Sequence, residues 1–347
     1  MIGGSEQISG ADPAAPPYRC GMRVGQVVAM WRYPVKSLGG EALEQAEFGP
    51  RGVHGDRLWA VRDVERDITA TARRVPALLK ATARYCAPPP PHAGPGRVPE
   101  VEITFPDGAV LRSDDAGVHA KLSELAGREM RLTALPPASD TSLHRLGLTD
   151  PDNSPIASMR SDFGIAEGER LPDLSMMRIS DLTLLARYST PPGMFVDLAP
   201  VHVMTTASLA TIGAAIGEAD VDVRRFRPNV LIAADDPDDG LPESHWTGGH
   251  LTLGGVKLEV TMPTIRCVVP SRAQPGLEVD RRITRAVAEK ADRCLGSYCW
   301  VDSGGVVGVG DEVALEPHRH SRFGDATRRG KRAVFGLATA AVDRLTR

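Results

Sequence analysis

The sequence predicts a β-rich α+β protein in two domains, and three observations lead there. Its 35 Gly and 28 Pro among 347 residues are half as many again as the roughly 12% share that is average, so turns are frequent. Between those turns, short runs alternate apolar and polar residues in the manner of strands. Few segments carry the 3.6-residue periodicity of an amphipathic helix.

Taken along the chain, strand-like runs occupy residues 24–31 (VGQVVAMW), 58–62, 101–105 (VEITF), 110–112, 201–205, 230–233, 251–253 and 256–260. Pro106-Asp107-Gly108 and Gly254-Gly255 join neighbouring runs as hairpins, because their residues suit tight turns. Helical spacing appears at 114–127, through Val118, Leu122 and Leu125, and at 206–216, with Thr205 or Thr206 as N-cap. A third helix is expected from the N-cap Asp280 to about Arg293, and an amphipathic basic one at 332–345.

The polyproline run at 87–98 reads as a surface loop, since proline cannot join a ladder. A polar stretch from 138 to 175 reads as a connection or lid. The expected organisation is therefore a flexible tail at 1–21, a first domain at 22–140, a linker or lid at 141–175, a second domain at 176–317 and a basic tail at 318–347.

With 41 Lys and Arg against 44 Asp and Glu, the formal charge of −3 gives no reason to expect a nucleic-acid partner. No run approaches the roughly 18 apolar residues of a membrane helix, and the first 21 residues lack a signal-peptide pattern. No membrane association is expected. The five cysteines, Cys20, Cys86, Cys267, Cys294 and Cys299, are odd in number and form no CxxC pair. They argue against a disulfide framework or structural zinc and for a reducing, cytoplasmic setting. GxGxxG after a strand, GxxxxGK[ST], HExxH and GxSxG are all absent.

Several residues can carry chemistry. Pro34 stops the first strand, so Lys36 and Ser37 of Tyr33-Pro34-Val35-Lys36-Ser37 fall in the following turn. They read either as a phosphate-holding pair or as a solvated lysine with a turn serine. Arg57, and Thr71 with Arg73, lie beside strand-like runs; such guanidinium groups serve anions or surface ion pairs. Arg227 and Asn229 precede the run at 230–233 and could meet an anion or polar ring, or pair and cap locally. Pro263 is expected to end its strand, leaving Cys267 in a short turn beside Arg266, whose charge favours a thiolate. Cys267 is then a nucleophile, a soft-metal ligand or a buried structural thiol. His202 reads as a core or pocket histidine, and the other four cysteines as structural.

YPVKS, DRLWAV, TARRVPALL, RFRPNVLI, PTIRC and GSYCWVDSGGVVGVGDEVAL, in that order over about residues 22–317, together resemble the MOSC-domain proteins that have an N-terminal MOSC β-barrel domain. That family includes molybdenum-cofactor enzymes that reduce N-hydroxylated compounds. The resemblance implies two barrel-like domains with a molybdenum cofactor, in its molybdopterin form, between them. It implies Cys267 as molybdenum ligand and catalytic residue. Lys36, Ser37, Arg57, Arg227, Asn229 and Arg266 would bind the cofactor, with Thr71, Arg73 and Tyr298 as further contacts. A small N-hydroxylated substrate and a separate electron-donor protein are the implied partners. Leu198 and Ala199 stand where family members carry small hydroxyl residues, and Ile265 where some have Ser. No cysteine follows Leu315, which removes the iron-sulfur domain of some relatives. The alternatives are a carrier of the cofactor or of sulfur on Cys267, against which the missing desulfurase domain argues, and a scaffold for an unrelated anion.

Overall fold

The computed structural model describes residues 21–146, 155–166, 169, 171–219, 221–236 and 240–318. The N-terminal tail up to residue 20 with Cys20, the expected helix at 332–345 in the tail from 319 on, and linker residues 147–154, 167, 168 and 170 lie outside the described residues. In the first part, the strands are β1 (Met22–Arg32), β2 (Glu41–Leu43), β3 (Gln45–Gly49), β4 (Gly52–Val53), β5 (Trp59–Asp63), β6 (Ile68–Thr69), β7 (Thr82–Tyr85), β8 (Val101–Thr104), β9 (Val110–Arg112) and β10 (Met130–Ala134). Helix α1 (Val118–Ala126) precedes β10. Helices α2 (Pro155–Phe163) and α3 (Ile179–Arg187) lead to β11 (Val201–Thr205), α4 (Thr206–Ile216) and β12 (Val230–Ala234). The chain continues through β13 (His250–Leu253), β14 (Val256–Ile265), α5 (Arg281–Ala291), β15 (Cys294–Ser303), β16 (Gly305–Gly308) and β17 (Glu312–Glu316).

Seven strands close into a barrel in the order β12, β11, β15, β14, β13, β17, β1, with β1 returning to β12. The pairs are antiparallel except β11 with β12, and α4 supplies the crossover that a parallel pair requires. Alternation along the strands turns Val27, Val203, Ile232, Leu251, Leu258 and Val313 into one buried cluster. Burying each such side chain stabilises the fold by about 1.5–3 kcal/mol, and closure leaves the ring no open edge. Outside the barrel, α4 and α5 pack through Leu209, Ile212, Ile283 and Val287 on Met204, Leu231 and Leu295. Thr205 caps α4 by accepting the Ser208 N–H, and Asp280 caps α5 by accepting the Arg282 N–H.

A second core gathers Val61, Leu78, Val101, Ile103, Leu122 and Met130 from the sheets β10-β5-β6 and β7-β8-β9, from α1 and from the short 3-10 helix Pro76–Lys80. The expected division at residue 140 does not follow the strand pairing. Strand β1 is bonded to β12 and β17, and β3 to β16. Alternating residues specify that a segment is a strand; they do not name its neighbours.

Pro263 corrects another expectation. It lies inside β14, opposite Ser297, and β14 runs on to Ile265. Register shifts on both sides of Met262-Pro263 interrupt the ladder where the missing N–H would otherwise break it. The stretch expected as a linker or lid is also tied down in its described part. The Asp162 carbonyl in α2 accepts the Val268 N–H at 3.1 Å, and its carboxylate pairs with Arg74 at 3.2 Å.

Candidate functional site

The turn after β1 runs beside the start of β5. Lys36 N–H donates to the Trp59 carbonyl, Trp59 N–H to Pro34 and Arg57 N–H to Tyr33, at 2.8, 3.0 and 2.8 Å. Lys36, Ser37 and Arg57 are thereby fixed side by side. The Ser37 hydroxyl accepts the Ala72 N–H at 3.0 Å, which draws in the turn bearing Thr71 and Arg73. From the barrel, Asn229 ties three strands together. Its side chain accepts the His202 N–H at 3.1 Å and donates to the Trp31 carbonyl at 3.3 Å, setting the turn that carries Arg227.

These pieces enclose a cleft of about 230 Å³. It is lined by all ten residues singled out in the sequence: Lys36, Ser37, Arg57, Thr71, Arg73, Arg227, Asn229, Arg266, Cys267 and Tyr298. One side is cationic. Arg57 and Arg227 lie over the buried Tyr33 ring, at 5.0 and 4.3 Å from its centre, while the Tyr33 hydroxyl donates to the Pro228 carbonyl at 3.0 Å. Arg227 also donates to the Leu38 carbonyl at 2.6 Å. Arg266 donates to the Phe226 carbonyl at 2.7 Å and to His202 Nε2 at 3.2 Å. The other side is apolar, with Leu174, Met177, Leu198 and Met262. Leu198, which replaces a hydroxyl expected from the family, is packed into that wall.

Burial pulls Arg227 down to about 10 and lowers Arg266, yet a guanidinium stays charged at neutral pH. Burial likewise lowers the Lys36 ammonium, against the pull of Asp197. Lys36 Nζ donates to Asp197 Oδ1 at 2.6 Å. Desolvation would raise the Asp197 carboxyl, but Lys36, Arg73 and Arg57 hold it well below the usual carboxylate range. Tyr298 is pushed up to about 12, by burial and then by Asp197, so its hydroxyl keeps its proton.

The MOSC domain profile matches residues 191–314, and the MOSC N-terminal beta barrel domain profile matches residues 24–112. The chain belongs to the MOSC-domain proteins. Two relatives of this MOSC protein are named mitochondrial amidoxime-reducing component 1. The human protein is 25% identical over 322 residues, covering 84% of this chain and 83% of its own; the mouse protein is 23% identical over 321 residues, with the same coverage. The YUAD protein from Bacillus subtilis aligns in structure with a TM-score of 0.38 at 10% identity, over 85% of this chain and 97% of its own.

Five residues that organise this MOSC cleft were not singled out in the sequence. Tyr33 carries the two stacked guanidinium groups, and Asp197 is the one carboxylate among the described residues lining the cleft. Arg225 is spent on the Pro270, Arg272 and Glu278 carbonyls, pinning the segment after Cys267. Gly296 lets β15 pass close to His202. Thr264, two per cent exposed, lines the cleft and its hydroxyl has no hydrogen-bond partner, which is also true of Thr71. Tyr33, Arg225, Thr264 and Gly296 fall inside YPVKS, RFRPNVLI, PTIRC and GSYCW, but nothing local assigns them these roles. Among the described residues no three His, Cys, Asp or Glu side chains gather as a metal site, and no helix is long and apolar enough to cross a membrane.

His202 makes a pH prediction. Burial, then Arg266, holds its pKa well below 6.5, so the folded protein keeps it neutral. Below pH 6.5 the unfolded chain takes up a proton that the native state refuses, and stability falls by up to about 1.4 kcal/mol per pH unit for this group. The stabilisation is complete above pH 6.5 and drains away on acidification. Denaturant titrations from pH 7.5 to 5.5 should show a shallower loss for His202→Gln than for wild type; equal slopes would remove His202 from the account.

Proposed function

We propose that this MOSC-domain protein holds a molybdenum cofactor in the cleft and reduces small N-hydroxylated compounds, supplied with electrons by a separate donor protein. The observation that carries this reading is the convergence of five cations on a cleft that also holds one partly exposed thiol, Cys267.

The residues suit such a group. Lys36, Arg57, Arg73 and Arg227 form a dispersed cationic receptor for a phosphate. The Ser37 hydroxyl already accepts a backbone N–H, leaving its own proton, now on a long 3.4 Å contact with the Ala70 carbonyl, free to turn to a ligand. The orphaned hydroxyls of Thr71 and Thr264 are groups that a polar ring would satisfy, since an unpaired buried hydroxyl costs about 1–3 kcal/mol. Asn229 serves by fixing strands and the Arg227 turn. Cys267 would be the protein's soft ligand to the metal.

When bound, the cofactor would supply the electron pair that breaks the substrate N–O bond, two protons and two electrons converting the oxygen to water. The chain binds, orients and excludes solvent. Tyr298 Oη, protonated at neutral pH, is placed to donate a hydrogen bond, while Asp197 is held ionised and cannot act as the acid. The apolar wall would receive a substrate's uncharged body. Free thiols at Cys86, Cys267, Cys294 and Cys299 support a reducing compartment such as the cytoplasm.

The test is to purify wild type and Cys267→Ala from a host that makes the cofactor, measure molybdenum and pterin, and assay reduction of a simple amidoxime with an artificial donor. Wild type should carry both and turn over; Cys267→Ala should lose turnover and most of its molybdenum. Wild type devoid of molybdenum from a well-supplied host would overturn the proposal. Bound cofactor without turnover would favour a carrier.

A further inference from the structure

We propose that Asp197 is an internal stand-in for the anion that this cleft receives, occupying Lys36 until a ligand displaces it. The inference rests on the cleft being an anion site, as argued above, and adds a role for a residue outside the expected ligand set. The ion pair is asymmetric. The Lys36 side chain is 5% exposed and that of Asp197 is 60% exposed. The ammonium is therefore fixed in place, whereas the carboxylate can leave for water by rotating its side chain alone. The backbone need not follow, because Phe195, Val196, Leu198 and Ala199 on either side are buried.

Charge gives the reason for such a residue. Four buried or half-buried guanidinium groups and one ammonium repel one another when the cleft holds no anion, and unpaired buried charge is strongly unfavourable. Asp197 lowers that repulsion. It acts on Lys36 directly and on Arg73 through space, where it is the main charge opposing desolvation; Arg57 is balanced first by its ion-pair partner Asp56, then by Tyr33, with Asp197 adding to them. A phosphate on Lys36 would occupy the same position, and two anions there would repel each other. Binding thus includes expulsion of the Asp197 carboxylate, and affinity is lower by that amount.

The experiment uses the full chain made without cofactor, titrated with inorganic pyrophosphate and followed by calorimetry and by thermal shift. Asp197→Asn should bind pyrophosphate about tenfold or more tightly than wild type, because a repelled neighbour has been neutralised. It should also melt lower than wild type without pyrophosphate and recover more of that loss when pyrophosphate is added. Asp197→Glu keeps the charge on a longer arm and should bind equally or more weakly than wild type; it serves as the independent measurement where the Asn variant does not fold. Equal affinity of wild type and Asp197→Asn, or tighter binding by Asp197→Glu, would overturn the stand-in role alone. Absence of pyrophosphate binding in wild type and both variants would overturn the anion site itself, and the stand-in role with it.

Discussion

Gly296→Ala is expected to destabilise the protein by about 2–5 kcal/mol, combining a positive φ imposed on a residue with a Cβ and an overpacked contact. Gly296 has φ +81°, and an added Cβ would lie 2.2 Å from His202 Nε2, 2.8 Å from Met204 Cγ and 2.9 Å from the Val203 carbonyl oxygen. Two of those neighbours are backbone or barrel-wall atoms with nowhere to go. The third is the nitrogen that accepts from Arg266, so the damage reaches the cleft. Denaturant unfolding measures the loss, with Gly117→Ala as control: nothing lies within 4 Å of its new Cβ, and a change within about 0.5 kcal/mol is expected there. A Gly296→Ala protein as stable as the control would refute the close approach of β15 to β11.

Tyr33→Ala should remove about 3–5 kcal/mol, the usual loss for a buried aromatic truncated to alanine, and should weaken pyrophosphate binding in the same protein. The ring is 4% exposed and is the surface on which Arg57 and Arg227 are laid out. Without it Arg57 keeps only Asp56, and Arg227 only the Leu38 carbonyl, to orient them, and orientation is what a bidentate anion contact needs. Tyr33→Phe keeps the ring and loses only the bond to the Pro228 carbonyl, so a loss of about 0.5–1.5 kcal/mol is expected with anion binding retained. If the Phe and Ala variants bound pyrophosphate alike, the stacked pair would not be part of the receptor.

The sequence made the strand-rich character plain because alternation is a local signal. Val24 to Trp31, Val101 to Thr104 and Val256 to Val260 all lie in strands. Strands β15 and β16 were harder to see, since Gly296 and Gly304-Gly305 interrupt the alternation. The extension of β14 through Pro263 was hidden for a related reason. Proline forbids a regular ladder but not an irregular one, and the register shifts that admit it depend on the partner strand. At the cleft, short motifs marked the charged residues. They could not reveal how each side chain is spent: Asn229 and Arg227 stand two apart in one motif, yet one clamps strands and the other faces the cleft. Asp197, just before Leu198, and Thr264, inside PTIRC, sit in stretches already noted, but nothing local says what they do. Their meaning comes from groups distant in the chain, Lys36 for the first and the cleft as a whole for the second.

Barrel closure also dictates when the site can come into being. Strand β1 leaves the ribosome long before its barrel partners β12 and β17, and the bond from Gln26 to Gly310 spans 284 residues. At roughly 5–20 residues per second of synthesis, β1 waits about a quarter of a minute to a minute for β17. During that interval only its end at Met30–Arg32 has a partner, the short β2, and the rest is open strand of the kind that chaperones shield. The half of the cleft built from Lys36, Ser37 and Arg57 waits almost as long for the half that brings Cys267. Loading any ligand that needs both halves therefore follows translation of the whole barrel.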